Sequence, residues 1–178
     1  MKGLIIRSIN WEDIDEQGIS KDNLEVMEFF NRALKEEKYP YVPRRKNITK
    51  EEILKFWIPS SNKNITILAE LNGKIVGSGT ILMGNDNEYS KQHNLSAGEY
   101  AITLNPDFFC QGIGTKITCE IIKQAKIKKI PLFLHTSVEN IPMVKIMKKL
   151  GYVHKKILKN YARYIDAGIH SDVYYYEI

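Results

Sequence analysis

Leu104-Asn105-Pro106-Asp107-Phe108-Phe109-Cys110-Gln111-Gly112-Ile113-Gly114-Thr115-Lys116 is the stretch from which the rest of the chain is read. An apolar, strand-like run at residues 100–104 leads into it, and a helical run at residues 115–128 leads out. A second strand signal follows at residues 132–136, then a short helix from about Asn140 that closes at Leu150-Gly151-Tyr152. A strand feeding a glycine turn that opens a helix is a physical device for holding anions. The first-turn N–H groups have no partner inside the helix, and the helix dipole adds partial positive charge there. Taken alone, Gln111-Gly112-Ile113-Gly114-Thr115-Lys116 lacks Walker-loop spacing and is not G-x-G-x-x-G, so the turn by itself is weak evidence of a ligand.

Working outward, the bounds are those of one domain, residues 1–178, large enough to bury a core. Hydrophobic content of 43% and charged content of 26% are ordinary for a globular chain. No apolar run reaches about 18 residues, so no membrane span is expected. Residues 1–7 are too short an apolar run for a signal peptide, and cytoplasmic is the default expectation. The two cysteines, Cys110 and Cys119, have no metal-ligand spacing, so no metal site is expected. The net charge of +5 suits a polyanionic ligand and also suits weak nucleic-acid binding. The lysines read as spread along the chain, which makes a solvated surface the simplest account of most of them and nucleic acid an unfavoured partner.

Residues 4–9 read as a first strand. Leu24, Met27, Phe30 and Leu34 recur at helical spacing, predicting a helix over residues 22–36. Tyr39-Pro40-Tyr41-Val42-Pro43 breaks it, because two prolines forbid a continuous helix. Thr49-Lys50-Glu51-Glu52 is a capping-box pattern that predicts a helix to about Trp57. Residues 65–71 and 74–82 flank Asn72-Gly73, a strong hairpin signal. Residues 84–98 read as a long polar loop and residues 99–104 as the next strand. Ile113, Ile117, Ile121 and Ala125 line one face of the helix after the glycine turn. Met143, Ile146, Met147 and Leu150 do so in the second helix, with Pro142 near its start and Gly151 at its C-cap. Residues 152–158 and 173–178 read as two final strands, joined by a loop holding Asn160, Tyr161, Arg163 and Tyr164.

In this order and spacing, Leu104, Pro106, Gly112, Gly114, Asn140 and Leu150-Gly151-Tyr152 resemble the pattern of the GNAT (GCN5-related) N-acetyltransferases. The motif match covers about fifty residues, and the order of elements extends it across the chain. The resemblance implies an α/β fold with a mixed, mostly antiparallel sheet that is splayed and flanked by helices. It implies acetyl-CoA as cosubstrate. Backbone N–H groups of Cys110, Gln111, Gly112, Ile113, Gly114 and Thr115 would hold the pyrophosphate, and Leu104 would pair with the pantetheine arm. Asn140 would touch the coenzyme, and Lys116 or Lys145 would meet a phosphate. Two positions depart from the family pattern: Phe109 stands where Arg or Gln is usual, and Met147 where many members have a proton-donating Tyr.

The implied reaction is direct attack of an amine on the thioester. A base must first deprotonate the amine, and a backbone amide at a strand bulge would hold the oxyanion. Three residues are candidates for the proton transfer. His135 ends the strand of residues 132–136, Glu99 lies on the facing strand, and Tyr161 lies in the last loop. Asn160-Tyr161 with Tyr164, and Tyr39-Pro40-Tyr41, are similar to elements of protein N-terminal (RimI-like) acetyltransferases. The expected function is acetyl transfer from acetyl-CoA to a primary amine. Alternatives are a peptide N-terminal amine as the specific acceptor, a polyamine or aminoglycoside, and a non-catalytic CoA-binding regulatory module. A homodimer is left open.

Overall fold

Asn72 and Gly73 form the hairpin turn, both with positive φ (51° and 77°), as a two-residue turn matched to strand twist requires. They join β2 (Ile65–Leu71) to β3 (Lys74–Met83). The computed structural model describes residues 2–10, 12–16, 19–35, 49, 51, 64–83, 98–164 and 169–178. The proline-rich loop, most of the helix expected from Thr49 and the polar loop before Gly98 lie outside these residues.

β1 (Leu4–Ser8) pairs antiparallel with β2, and β3 pairs antiparallel with β4 (Gly98–Leu104). After β4 come a short 3-10 turn (Pro106–Phe108) and helix α2 (Ile113–Ile127). β5 (Leu132–Ser137), helix α3 (Ile141–Lys149), β6 (Lys156–Tyr164) and β7 (Ile169–Glu177) complete the chain. With α1 (Lys21–Lys35), the described residues form three helices and one seven-stranded sheet, ordered β1-β2-β3-β4-β5-β7-β6. Only the β4–β5 pairing is parallel. The fold is therefore the mixed, mostly antiparallel α/β arrangement expected.

The helices divide between the two faces. On one, α2 buries Ile113, Ile117, Ile121 and Ala125, the stripe read from the sequence, against Ile67, Ile81, Tyr100 and Leu134. Met143 and Met147 of α3 join this core. Each fully buried aliphatic side chain contributes about 1.5–3 kcal/mol. Contact between α2 and the sheet is close: a Cβ at Gly79 would lie 2.5 Å from Cγ2 of Ile117. On the other face, α1 packs on Leu68 and Ile75. Its fully buried stripe is Val26, Phe29 and Ala33, with Leu24 and Met27 half-buried. The spacing of Leu24, Met27 and Phe30 thus marked the flank of a wide apolar surface rather than its centre. The side chain of Leu34 is outside the described residues.

Two boundaries differ from expectation. The last two strands are longer than predicted, so Asn160, Tyr161 and Tyr164 lie in β6 and not in a loop. A register shift between Leu158 and Tyr161, with Asn160 at φ 49°, absorbs the polar residues that read as loop. The N-terminus of α1 is held to β1 by an ion cluster. Arg7 Nη2 donates to Asp22 Oδ1 (2.7 Å), and Arg7 Nε donates to Glu70 Oε2 (3.0 Å). Burial pushes the Asp22 carboxyl up, but the hydrogen bonds from Arg7 and from the Asn10 N–H outweigh it and hold the group below the usual carboxylate range.

Candidate active site

β4 and β5 share only two rungs, Gly98↔Leu132 and Glu99↔Phe133. Beyond them β5 pairs with β7 instead, and the two strands separate. The Gly98 N–H donates to Pro131 O on the β5 side (2.8 Å), and the Asn105 N–H donates to Val76 O on the β3 side (2.8 Å). Alternation along the strand then directs the peptide groups of Ile102 and Leu104 into the gap, where no β5 rung meets them. Leu104 is therefore placed where an extended ligand arm can be paired. Pairing of β4 with β3 runs from Gly77↔Leu104 to Met83↔Gly98 without a register shift. The expected bulge is absent from this strand. Among the described strands, register shifts occur between Ala69 and Glu70 of β2 and within β6. The regular β4 edge offers amide donors to the gap at Ile102 and Leu104.

At the end of β4, Asn105 Oδ1 caps the 3-10 turn by accepting the Asp107 N–H (3.0 Å). Gln111 Nε2 donates back to Asp107 O (3.1 Å), bracing the turn. Cys110 and Gly112 both adopt positive φ, 60° and 81°. Left-handed residues on either side of Gln111 turn successive N–H groups toward one side, making an anion-binding concavity. The first α2 hydrogen bond is from Lys116 N–H to Gly112 O, so the N–H groups of Ile113, Gly114 and Thr115 have no acceptor within the helix. Gly112 provides no side-chain cap, and a Cβ built on it would meet nothing within 4 Å. The space over the turn is open to a ligand, and the donor set suits a pyrophosphate. Lys116 is exposed beside it.

Asn140 is the N-cap of α3, with Oδ1 accepting the Met143 N–H (3.3 Å). Its Oδ1 thus caps the helix. Met147 is fully buried and belongs to the core. The Tyr100 hydroxyl is 3.0 Å from Oγ1 of Thr118, which donates to Gly114 O (2.7 Å). Burial pushes the Tyr100 phenol well above its ordinary range, so it is not a base.

On the α1 side of the sheet, Nδ1 of His135 lies 3.3 Å from Oε1 of Glu99. The pair bridges β4 and β5 just beyond their last rung, at the neck of the gap. The imidazole lies between Phe133 and Tyr175, with ring centroids at 5.5 and 5.4 Å. The His135 side chain is 5% exposed and that of Glu99 is 26% exposed. Glu99 therefore presents itself to solvent, while His135 stands behind it. Tyr161 lies apart, on the edge strand β6, with β5 and β7 between it and the gap. The structure thus brings together two of the three candidate proton carriers. The aromatic partner Tyr175 had not been singled out. Its signal was its place in Tyr174-Tyr175-Tyr176, where alternation puts the middle residue on the face opposite its neighbours.

The pattern described as the Acetyltransferase (GNAT) family matches residues 24–152. The chain belongs to the GNAT acetyltransferase family. It is an acyltransferase, and its family uses acetyl-CoA. Solved structures agree over nearly the whole length. A GNAT-family acetyltransferase from Streptococcus pneumoniae is 25% identical, with a TM-score of 0.75 over 98% of each chain. A putative acetyltransferase from Salmonella typhimurium with its cofactor acetyl-CoA is 13% identical, with a TM-score of 0.72 over 99% of this chain and 94% of that one. A ribosomal-protein-alanine N-acetyltransferase from Brucella melitensis is 17% identical, with a TM-score of 0.72 over 98% of both. The last two likenesses concern the fold alone. Among the described residues no helix is long and apolar enough to cross a membrane, and no cluster of His, Cys, Asp and Glu has metal-binding geometry.

Proposed function

We propose that this GNAT acetyltransferase acetylates a cationic primary amine that approaches from the α1 face, with Glu99 as the base. The observation that carries the proposal is the Glu99–His135 bridge at the neck of the β4–β5 gap, on the face opposite α2 and α3. Acetyl-CoA supplies an activated thioester carbonyl. In this reading its pyrophosphate rests on the N–H groups from Cys110 to Thr115, and its arm pairs with the β4 edge at Ile102 and Leu104. The acceptor meets an acidic surface, because residues 12–28 carry seven carboxylates against Lys21. That surface concentrates ammonium ions. Glu99 removes the ammonium proton, and the free amine forms the N–C bond as the C–S bond breaks and CoA leaves. His135, with Nδ1 on Glu99, holds the carboxylate in place, and the Phe133–Tyr175 slot fixes the imidazole. With Met147 sealed in the core, the second proton of the amine nitrogen passes through water to the departing thiolate.

The test is release of free CoA against peptides, polyamines and aminoglycosides in parallel. Glu99→Gln is expected to lower kcat by about 10²-fold on the best acceptor, within the usual range for a general base. Its affinity for acetyl-CoA should stay the same. Wild-type turnover in the Glu99→Gln protein would reject the assignment. The acceptor class follows from which amine series releases CoA.

A further inference from the structure

We infer that the outer surface of α2 and α3 is a docking surface for the phosphate backbone of duplex nucleic acid, extending beyond the acetyl-transfer site. Residues 113–160 contain eleven lysines against two acids, Glu120 and Glu139, and no arginine or aspartate. That is +9 in a chain whose total is +5, so the remainder is net acidic. All eleven lysines are exposed. Lys116, Lys123 and Lys126 are on α2, and Lys145, Lys148 and Lys149 on α3. Five more lie on the connections to β5 and β6 and within β6. Of these eleven lysines, only Lys123 (to Glu120) and Lys159 (to Asp172) form ion pairs among the described residues.

Topology collects most of this charge on one side. β4 and β5 are parallel, so α2 and α3 both run back over the same face of the sheet, with Ile146 of α3 against Gly114 at the start of α2. Lysines 126, 128 and 129 lie at the C-terminal end of α2 and lysines 148 and 149 at that of α3, while Lys156 sits over the Tyr175 ring (4.9 Å) on the other face. One or two cations per helix end are enough to complement the helix dipoles. The lysines at the C-terminal end of α2 do not serve the coenzyme either. Fifteen residues of α2 span about 22 Å, more than two Debye lengths at physiological salt. A duplex carries one charge per about 1.7 Å of axis and spans that length with about a dozen phosphates. Lysine point charges without arginine forks fit backbone contact without base reading. The acidic α1 face repels the same polyanion, so the acceptor side stays clear.

The experiment measures fluorescence anisotropy of a labelled 24-base-pair DNA duplex of mixed sequence with the intact chain, from 50 to 200 mM KCl. Micromolar binding is expected at 50 mM, with log K falling against log salt at a slope of about −5 or steeper. Lys126→Gln/Lys128→Gln/Lys129→Gln should make the slope shallower by about three. Lys2→Gln/Lys21→Gln/Lys74→Gln removes the same charge from elsewhere and should barely change it. No duplex binding, equal loss in both triple variants, or tighter binding to anionic phosphatidylserine vesicles than to duplex would each overturn the inference. Unchanged acetyl-CoA affinity in the first triple variant shows that the fold is intact, so its loss of duplex binding reports the surface.

Discussion

Glu99 and His135 are 36 positions apart in the chain and 3.3 Å apart in space. Each was legible as a candidate because each ends or faces a strand beside the glycine turn. Their roles were not, because role follows exposure. The 26% exposed carboxylate reaches an acceptor, while the 5% exposed imidazole supports it. His135→Ala should therefore cut kcat by about ten-fold, less than Glu99→Gln, with KM for the amine nearly unchanged. A His135→Ala defect larger than that of Glu99→Gln would exchange the two roles. Gly112 carries a different demand. Its φ of 81° and the open space above it mean that a side chain there meets the ligand and not the protein. Gly112→Glu should abolish acetyl-CoA binding in calorimetry by placing a carboxylate against the phosphates, whereas retained tight binding would remove the pyrophosphate from this turn.

At the scale of elements, the glycine turn, both helices after it and the β2–β3 hairpin could be read directly, because local chemistry sets them. Positive-φ positions, helix caps and apolar spacing are all short-range signals. β6 could not be read in this way. Its polar residues look like loop, and only pairing with β7 makes them a strand. Packing of α2 on β3 depends on Gly79, where a methyl would be 2.5 Å from Ile117. Gly79→Ala should cost about 1–3 kcal/mol by overpacking. For a chain of this size that lowers Tm by several degrees in calorimetry. The Arg7–Asp22–Glu70 cluster ties α1 to the sheet. The folded-state pKa of Asp22 is below its unfolded value, so its contribution is present above about pH 4. The contribution is lost as pH falls through the lower folded value. Asp22→Asn should flatten the acid limb of the stability-versus-pH curve measured by urea unfolding, with less effect on the slope above pH 5.

For the whole molecule, the two faces of the sheet differ in charge as well as in content. The coenzyme-side helices carry the basic layer, and α1 with its approach carries the acids. At physiological salt the lysines at the C-terminal end of α2 are too far from the glycine turn to act on it. Neutralising Lys126, Lys128 and Lys129 should therefore leave the acetyl-CoA Kd within two-fold of wild type by calorimetry. A ten-fold loss would mean that the field reaches the site. In the linear sequence the lysines looked dispersed, because spacing along a chain carries no information about which side of a sheet each one reaches. The sequence by itself determined the family, the glycine turn, the helical stripes and the hairpin, since each depends on residues within a turn or two of one another. Only the tertiary structure decided which candidates meet at the neck of the β4–β5 gap, which of them is exposed, and where the charge collects. Those depend on strand order and on the parallel β4–β5 pairing, which brings distant segments together and lays α2 and α3 on the same face of the sheet.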